Sequence, residues 1–180
     1  IDHDIPVIPD IGRLPLIAFI KMIKRLTRAG HHPHRFICED QPHQIKKVAA
    51  FFDQRAACLG IEPTDSTADE AERFGVPVLR RFFSKALAEE IVKGGKQADL
   101  IVGNNVFAHV PDINDFTKGL KVALKSGGAV TLEFPHLLRL IEHTQFDTVY
   151  HEHFSYLSLY TVSRIFAEFG LRIWTVEELV

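Results

Sequence analysis

The sequence predicts an α/β fold, a mostly parallel sheet with helices on both faces. Three observations predict it. From residue 56 onward, short apolar runs alternate with amphipathic segments of about 10 residues, the pattern of strands joined by helical crossovers. Glycines and capping residues fall between those segments, where chain reversals are needed. The 180 residues, 46% of them hydrophobic, suffice to bury the core of one domain.

The elements follow in order. Leu16, Ile17, Ile20, Ile23 and Leu26 recur at helical spacing with Lys21, Lys24, Arg25 and Arg28 between them, a short basic amphipathic helix. Residues 31–35 read as a loop, Arg35–Glu39 as a short strand and Gln44–Gln54 as a helix. Ala57–Ile61 is a short buried strand. Asp65–Phe74 is a helix closed by Gly75 in the left-handed conformation. Val76–Arg80 is a strand, and Ser84 caps a helix running to Val92 before Gly94-Gly95. Asp99–Gly103 is an apolar strand, Asp112 caps a helix to Leu124, and Ser126-Gly127-Gly128 turns the chain into a strand at Ala129–Phe134. Tyr150–Leu157 reads as extended, Thr161–Phe169 as a helix stopped by Gly170, and Leu171–Val176 as a strand.

Composition excludes several function classes. A formal net charge of −2 argues against electrostatic capture of nucleic acid. The two cysteines, Cys38 and Cys58, cannot build a disulfide framework or a zinc knuckle. No run approaches the roughly 20 apolar residues of a membrane span, and no leader is evident, so cytoplasmic residence is expected. The chain opens on Ile1 and its one methionine is Met22, so it is expected to start inside a longer product. Five of the ten histidines lie before residue 44, and residues 1–60 carry a net charge of +3 against −5 for the rest. Residues 1–44 are therefore expected to form an atypical N-terminal segment, a helix plus a loop. None of the 11 glycines lies between Gly30 and Gly60.

In parallel sheets ligands bind beyond the carboxyl ends of the strands. That rule directs attention to Glu62, to Asn104-Asn105 and to Glu133–His136. An acid at the position of Glu62 suits a ribose, whose two hydroxyls it can accept from; a solvated carboxylate near the start of a helix is the plain alternative. Asparagine offers a donor and an acceptor to a polar ligand edge, or caps a turn. The densest chemistry is Tyr150-His151-Glu152-His153. If extended, this run places His151 and His153 on one face and Tyr150 and Glu152 on the other. Histidine can accept a proton near neutral pH. A His-x-His pair could also ligate a metal, with His136 and His143 the remaining candidates, but no third ligand falls into a motif and no metal is expected.

The block Ala98-Asp99-Leu100-Ile101-Val102-Gly103-Asn104-Asn105-Val106-Phe107-Ala108-His109-Val110-Pro111-Asp112 resembles the fourth-strand region of class I S-adenosylmethionine-dependent methyltransferases. Gly127-Gly128, Glu133-Phe134-Pro135-His136 and Tyr150-His151-Glu152-His153-Phe154 narrow the resemblance to the branch that methylates a carbon of nucleotide-linked keto-deoxysugars. It covers about residues 48–180. The resemblance implies a Rossmann-like domain over 45–180, incomplete at its first strand and C-terminus, that binds S-adenosylmethionine and a small-molecule substrate. It implies that Glu62 holds the cofactor ribose, that Asn104 and Asn105 border the cofactor and substrate cleft, and that His153 is the active-site histidine with Tyr150 and Glu152 beside it. The implied reaction removes a proton from a carbon next to a ketone, with His153 as base or as partner of the enolate oxygen. Members of that branch also carry a zinc-binding N-terminal domain and a further C-terminal domain, neither of which is in this sequence. Exposed apolar surface left by missing domains leaves room for a homodimer.

The resemblance breaks upstream of Glu62. The branch has a glycine-containing acidic loop about 20 residues before the ribose acid, where this chain has Cys38-Glu39-Asp40-Gln41-Pro42-His43. That stretch has no glycine to let backbone approach a ligand, and Pro42 removes a donor. Weak or absent cofactor binding is therefore expected. A non-catalytic Rossmann-like interaction domain and a nicotinamide-dependent oxidoreductase are the alternatives; the latter needs a glycine-rich turn of its own.

Overall fold

A computed structural model describes residues 34–39, as backbone, and 57–178. The helices expected at Leu16–Leu26 and Gln44–Gln54, and the segment from Asp40 to His43, lie outside the described residues. Five parallel strands form one sheet: β1 (His34–Glu39), β2 (Ala57–Ile61), β3 (Val78–Leu79), β4 (Ala98–Asn104) and β5 (Leu124–Glu133), in the order β3-β2-β1-β4-β5. Among the described residues the helices are α1 (Asp65–Arg73), α2 (Lys85–Lys93), α3 (Ile113–Ala123), α4 (Leu137–Glu142) and α5 (Leu159–Glu168). The chain builds outward from β1 to β3, then returns to place β4 on the other side of β1. That reversal makes a switch point between β1 and β4. Although β1 lies within residues 1–44, it is the central strand, hydrogen-bonded to β2 and β4 over five registered pairs each.

The two-residue period of β2 sorts its side chains between two layers. Leu59 and Ile61 enter the main core with Leu87 and Ile91 of α2 and with Phe116 and Leu120 of α3. Cys58 faces the other way and packs, with Val78, against Ala71 of α1 and Val76. Helices thus cover both faces, as the alternation predicts.

Helix starts are set by side chains that satisfy otherwise orphaned N–H groups. Ser84 Oγ accepts from Leu87 N–H at 3.1 Å, and Asp112 accepts from both Asn114 and Asp115 N–H. Ser158 accepts from Thr161 N–H at 3.1 Å, so α5 begins at Leu159, two residues before the expected start.

Four expectations change. The strand expected at Val76–Arg80 shrinks to Val78–Leu79, because Pro77 has no N–H for a ladder and contributes only its carbonyl, which accepts from Gly60 N–H at 2.8 Å. The Ser126-Gly127-Gly128 turn lies inside β5 rather than ahead of it, opposite a register irregularity between Ala98 and Leu100. Gly127 has φ +79°, and a Cβ on Gly128 would stand 3.0 Å from the Asp99 carbonyl oxygen, so the extra residues form a glycine bulge instead of ending the strand. Leu171–Val176 keeps the predicted alternation, with Leu171 and Ile173 against the core and Arg172 and Trp174 exposed, but finds no ladder partner among the described residues. Tyr150–Leu157 is not a strand; it is a turn, considered below. The short helix α4 carries no side-chain cap and no long apolar period, which is why the sequence did not announce it.

Among the described residues no helix is long and apolar enough to cross a membrane.

Candidate active site

The carboxyl ends of the strands form one edge. Asn104, the last residue of β4, is in register with Glu39 of β1 on one side and Glu133 of β5 on the other. Asn104 is buried, while Asn105 takes φ 54° and donates its N–H to the Glu133 carbonyl at 3.0 Å. Asparagine tolerates this left-handed conformation better than most residues. It turns the chain sharply off the sheet into a single 3-10 turn, Phe107–His109.

Glu62 follows β2 directly and is buried, at 7% exposure. Its Oε1 accepts from Thr64 N–H at 2.7 Å. That bond orients the carboxylate. A buried, oriented carboxylate at a strand end beside the switch point fits a ribose diol, and Asn104 fits the polar edge of the same ligand. These residues of β2 and β4 fit S-adenosylmethionine. The stretch after β1 that would complete the cradle lies outside the described residues.

Below the edge, Phe107 is fully buried and anchors the 3-10 turn. Its ring centroid lies 5.7 Å from that of Phe166 and 5.9 Å from those of Phe116 and Phe134. This hub fixes the next residues in place. Ala108 carbonyl accepts from both Phe154 N–H (2.9 Å) and Ser155 N–H (3.2 Å), which ties the Tyr150–Ser158 segment to the end of β4. The imidazole of His109 meets that of His153 edge-on at 4.7 Å.

The segment is folded, so the expected face sharing does not occur. His153 N–H donates to Tyr150 carbonyl at 3.1 Å, closing a turn. The turn brings residues three apart together: Tyr150 and His153 rings lie 4.3 Å apart, and the Tyr150 hydroxyl is 3.2 Å from His153 Nε2. His153 is buried at 8% exposure, whereas His151 and Glu152 are exposed. His151 and His153 therefore present no shared face to a metal. His136 Nε2 accepts from Leu159 N–H instead, and His143 is exposed. No group of three or more metal-binding side chains exists among the described residues.

The hydrogen bonds of His153 define its chemistry. Nδ1 is 2.9 Å from the Thr148 carbonyl, which can only accept, so Nδ1 carries the proton. In the neutral ring Nε2 then holds the lone pair, and the Tyr150 hydroxyl donates to it. Tyr150 is exposed and forms the outer end of the pair; Phe146, Val149 and Phe154 of the same stretch are exposed as well. Such a pair can accept a proton at its mouth and hold it on a buried nitrogen that a carbonyl stabilises.

Two side chains around His153 were not singled out in the sequence. His109 follows a strand end by a few residues, the signal that selected Asn104 and Asn105. Tyr156 meets the His153 ring edge-on at 5.9 Å and donates from its hydroxyl to Tyr150 carbonyl at 3.4 Å; nothing in local sequence marks it.

Residues 28–176 match a family model described as a methyltransferase domain, and the chain belongs to that family. The family's cofactor is S-adenosylmethionine, as the sequence suggested. The chain is 36% identical over 115 residues to the C-methyltransferase NovU of Streptomyces niveus; the match takes in 64% of this chain and 27% of NovU. Among solved structures, the plantazolicin methyltransferase BpumL in complex with S-adenosylhomocysteine superposes with a TM-score of 0.62 at 11% identity, over 85% of this chain and 61% of BpumL. A SAM-dependent methyltransferase from Archaeoglobus fulgidus gives 0.59 at 13% identity, over 88% of this chain and 70% of its own. At such identities these two establish the fold: an α/β Rossmann-like methyltransferase sheet.

Proposed function

We propose that this domain serves S-adenosylmethionine-dependent methylation of a carbon next to a ketone in a nucleotide-linked deoxysugar. The observation that carries the reading is the His153–Tyr150 pair at the carboxyl edge, with Nδ1 held by Thr148 carbonyl and Nε2 facing the Tyr150 hydroxyl. Resemblance to the sugar-methylating branch at Tyr150–Phe154, and the name of the partial relative NovU, support carbon as the acceptor.

In this reading Glu62 holds the cofactor ribose, and Asn104 and Asn105 line the cleft between cofactor and substrate. S-adenosylmethionine, when bound, supplies an electrophilic methyl group on a sulfonium sulfur. The protein's own work is on the acceptor. The Tyr150 oxygen takes the proton from the carbon beside the ketone as its own proton passes to His153 Nε2. The resulting imidazolium is stabilised by Thr148 carbonyl at Nδ1, and the electron pair left on carbon delocalises onto the ketone oxygen. Glu152, exposed and next to His153 in the chain, flanks the pair.

His153→Asn should lower transfer by roughly 100- to 10,000-fold, the usual worth of a positioned base, while circular dichroism and melting stay unchanged. Transfer should be assayed at millimolar cofactor, because the glycine-free stretch after β1 is expected to weaken cofactor binding. Unchanged turnover would remove His153 from the mechanism. Nicotinamide retained through purification would favour the oxidoreductase alternative instead.

A further inference from the structure

His136 lies past the end of β5, directly before α4, and is not among the hydrogen-bond partners of Tyr150 or His153, yet the chain that carries them is fastened to it. The first N–H groups of a helix have no partner inside the helix. At α5, Ser158 Oγ takes Thr161 N–H and His136 Nε2 takes Leu159 N–H at 3.0 Å. The backbone beside it adds a second fastening: Leu137 N–H donates to Leu157 carbonyl at 2.9 Å, in an isolated parallel bridge between His136 and Leu157. Side chain and backbone thus grip Leu157 and Leu159, two alternate residues at the exit of the His153 segment. The entrance to that exit is pinned by Ala108 carbonyl, which holds Phe154 and Ser155. His153 lies just before these pins, and its ring orientation depends on reaching Thr148 carbonyl and Tyr150 hydroxyl together.

We propose that His136 is a positioning residue for His153. Its Nε2, as acceptor for Leu159 N–H, clamps the end of the Tyr150–Ser158 segment to the connection between β5 and α4 and so holds the His153–Tyr150 pair in register with the strand edge. This rests on the reading of His153 as the proton-accepting group, but the clamp itself is independent of that reading. An acceptor is what matters, not a titrating ring, so glutamine should replace the histidine and phenylalanine should not.

The test is amide hydrogen exchange, residue by residue, on the 180-residue chain and its His136→Phe and His136→Gln variants, with kcat and KM measured in parallel. His136→Phe keeps the ring volume and removes the acceptor. Exchange at Leu159, Phe154 and Ser155 should accelerate about 5- to 30-fold, the effect of one lost hydrogen bond, while amides of β4 stay protected. His136→Gln should restore protection. Turnover should follow the same order, with kcat falling in His136→Phe, recovering in His136→Gln, and KM for cofactor unchanged in both. Unchanged exchange at Phe154 and Ser155 in His136→Phe overturns the proposal, as does equal acceleration in His136→Gln or acceleration spread evenly into β4. The expected exchange pattern across the three chains, with no transfer by the unsubstituted chain at millimolar cofactor, would sustain the clamp and count against the function proposed above.

Discussion

His153 is a buried imidazole whose two nitrogens face different partners, a backbone carbonyl at Nδ1 and a phenol at Nε2. A carbonyl cannot donate, so the neutral ring must be the Nδ1–H tautomer. Nitrogen-15 shifts of His153 should show Nδ1 protonated and Nε2 bare in the neutral form; the opposite tautomer would break the account of a basic Nε2. Beneath it, Phe107→Ala should destabilise the domain by about 3–5 kcal/mol, the range for a buried aromatic, read as a shift in urea midpoint. Residue types at this site were legible in the sequence, but their arrangement was not. Tyr150-His151-Glu152-His153 is as compatible with a strand as with a turn, because no glycine or proline within it marks the reversal. The bonds that decide for the turn come from Ala108 and Thr148. Glu62 and Asn104, by contrast, were found where the strand-end rule placed them, since that rule depends only on where apolar runs stop.

Among the elements, starts and stops were the most readable features. Ser84 and Asp112, both read as caps from the sequence, hold helix starts because each has an oxygen within reach of an N–H two or three residues on, a purely local matter; Ser158 does the same for α5, whose start the sequence reading set two residues late. Asp112→Ala should cost about 1 kcal/mol, the typical worth of such a cap, measured by chemical denaturation. Contacts between elements are not local, and Gly119 of α3 illustrates this. A Cβ there would lie 2.9 Å from Phe83 Cε1 and 3.0 Å from Ser84 backbone, at the start of α2. Alanine improves helix propensity by up to about 1 kcal/mol, but backbone cannot yield as a side-chain tip can. Gly119→Ala should therefore be net destabilising by about 1–2 kcal/mol; a gain in melting temperature would contradict the close approach of α2 and α3. At the surface, Arg139 of α4 hydrogen-bonds Glu178 at 2.6 Å, and this holds the Glu178 carboxyl below its ordinary range. A carboxyl lowered in the folded state adds stability that is fully present above its ordinary pKa and fades as pH falls through the folded value. Arg139→Gln should return Glu178 to the ordinary range in a carbon-detected titration; because the pair is exposed, overall stability should change little.

For the whole molecule, the strand–helix alternation predicts a parallel sheet, whereas the reversal between β1 and β4 in the order β3-β2-β1-β4-β5 is not specified by the alternation. Charge and histidine content placed residues 1–44 apart from the rest, yet β1 comes from that segment and is central in the sheet. Charge and histidine content describe how a segment meets solvent and say little about whether one short apolar run inside it finds a ladder. The glycine-free stretch after β1 bears on cofactor affinity alone. Calorimetric titration with S-adenosylmethionine should give binding weaker than micromolar, and a micromolar dissociation constant would contradict the weakened cradle. The central claim concerns the proton-accepting pair, which can be observed without methyl transfer. A nucleotide-linked keto-deoxysugar incubated with the protein in deuterium oxide should take up deuterium at the carbon beside its ketone, followed by proton NMR. Exchange should be faster than in buffer and should disappear in His153→Asn. Exchange at the buffer rate, or exchange equally fast in His153→Asn, would contradict the claim.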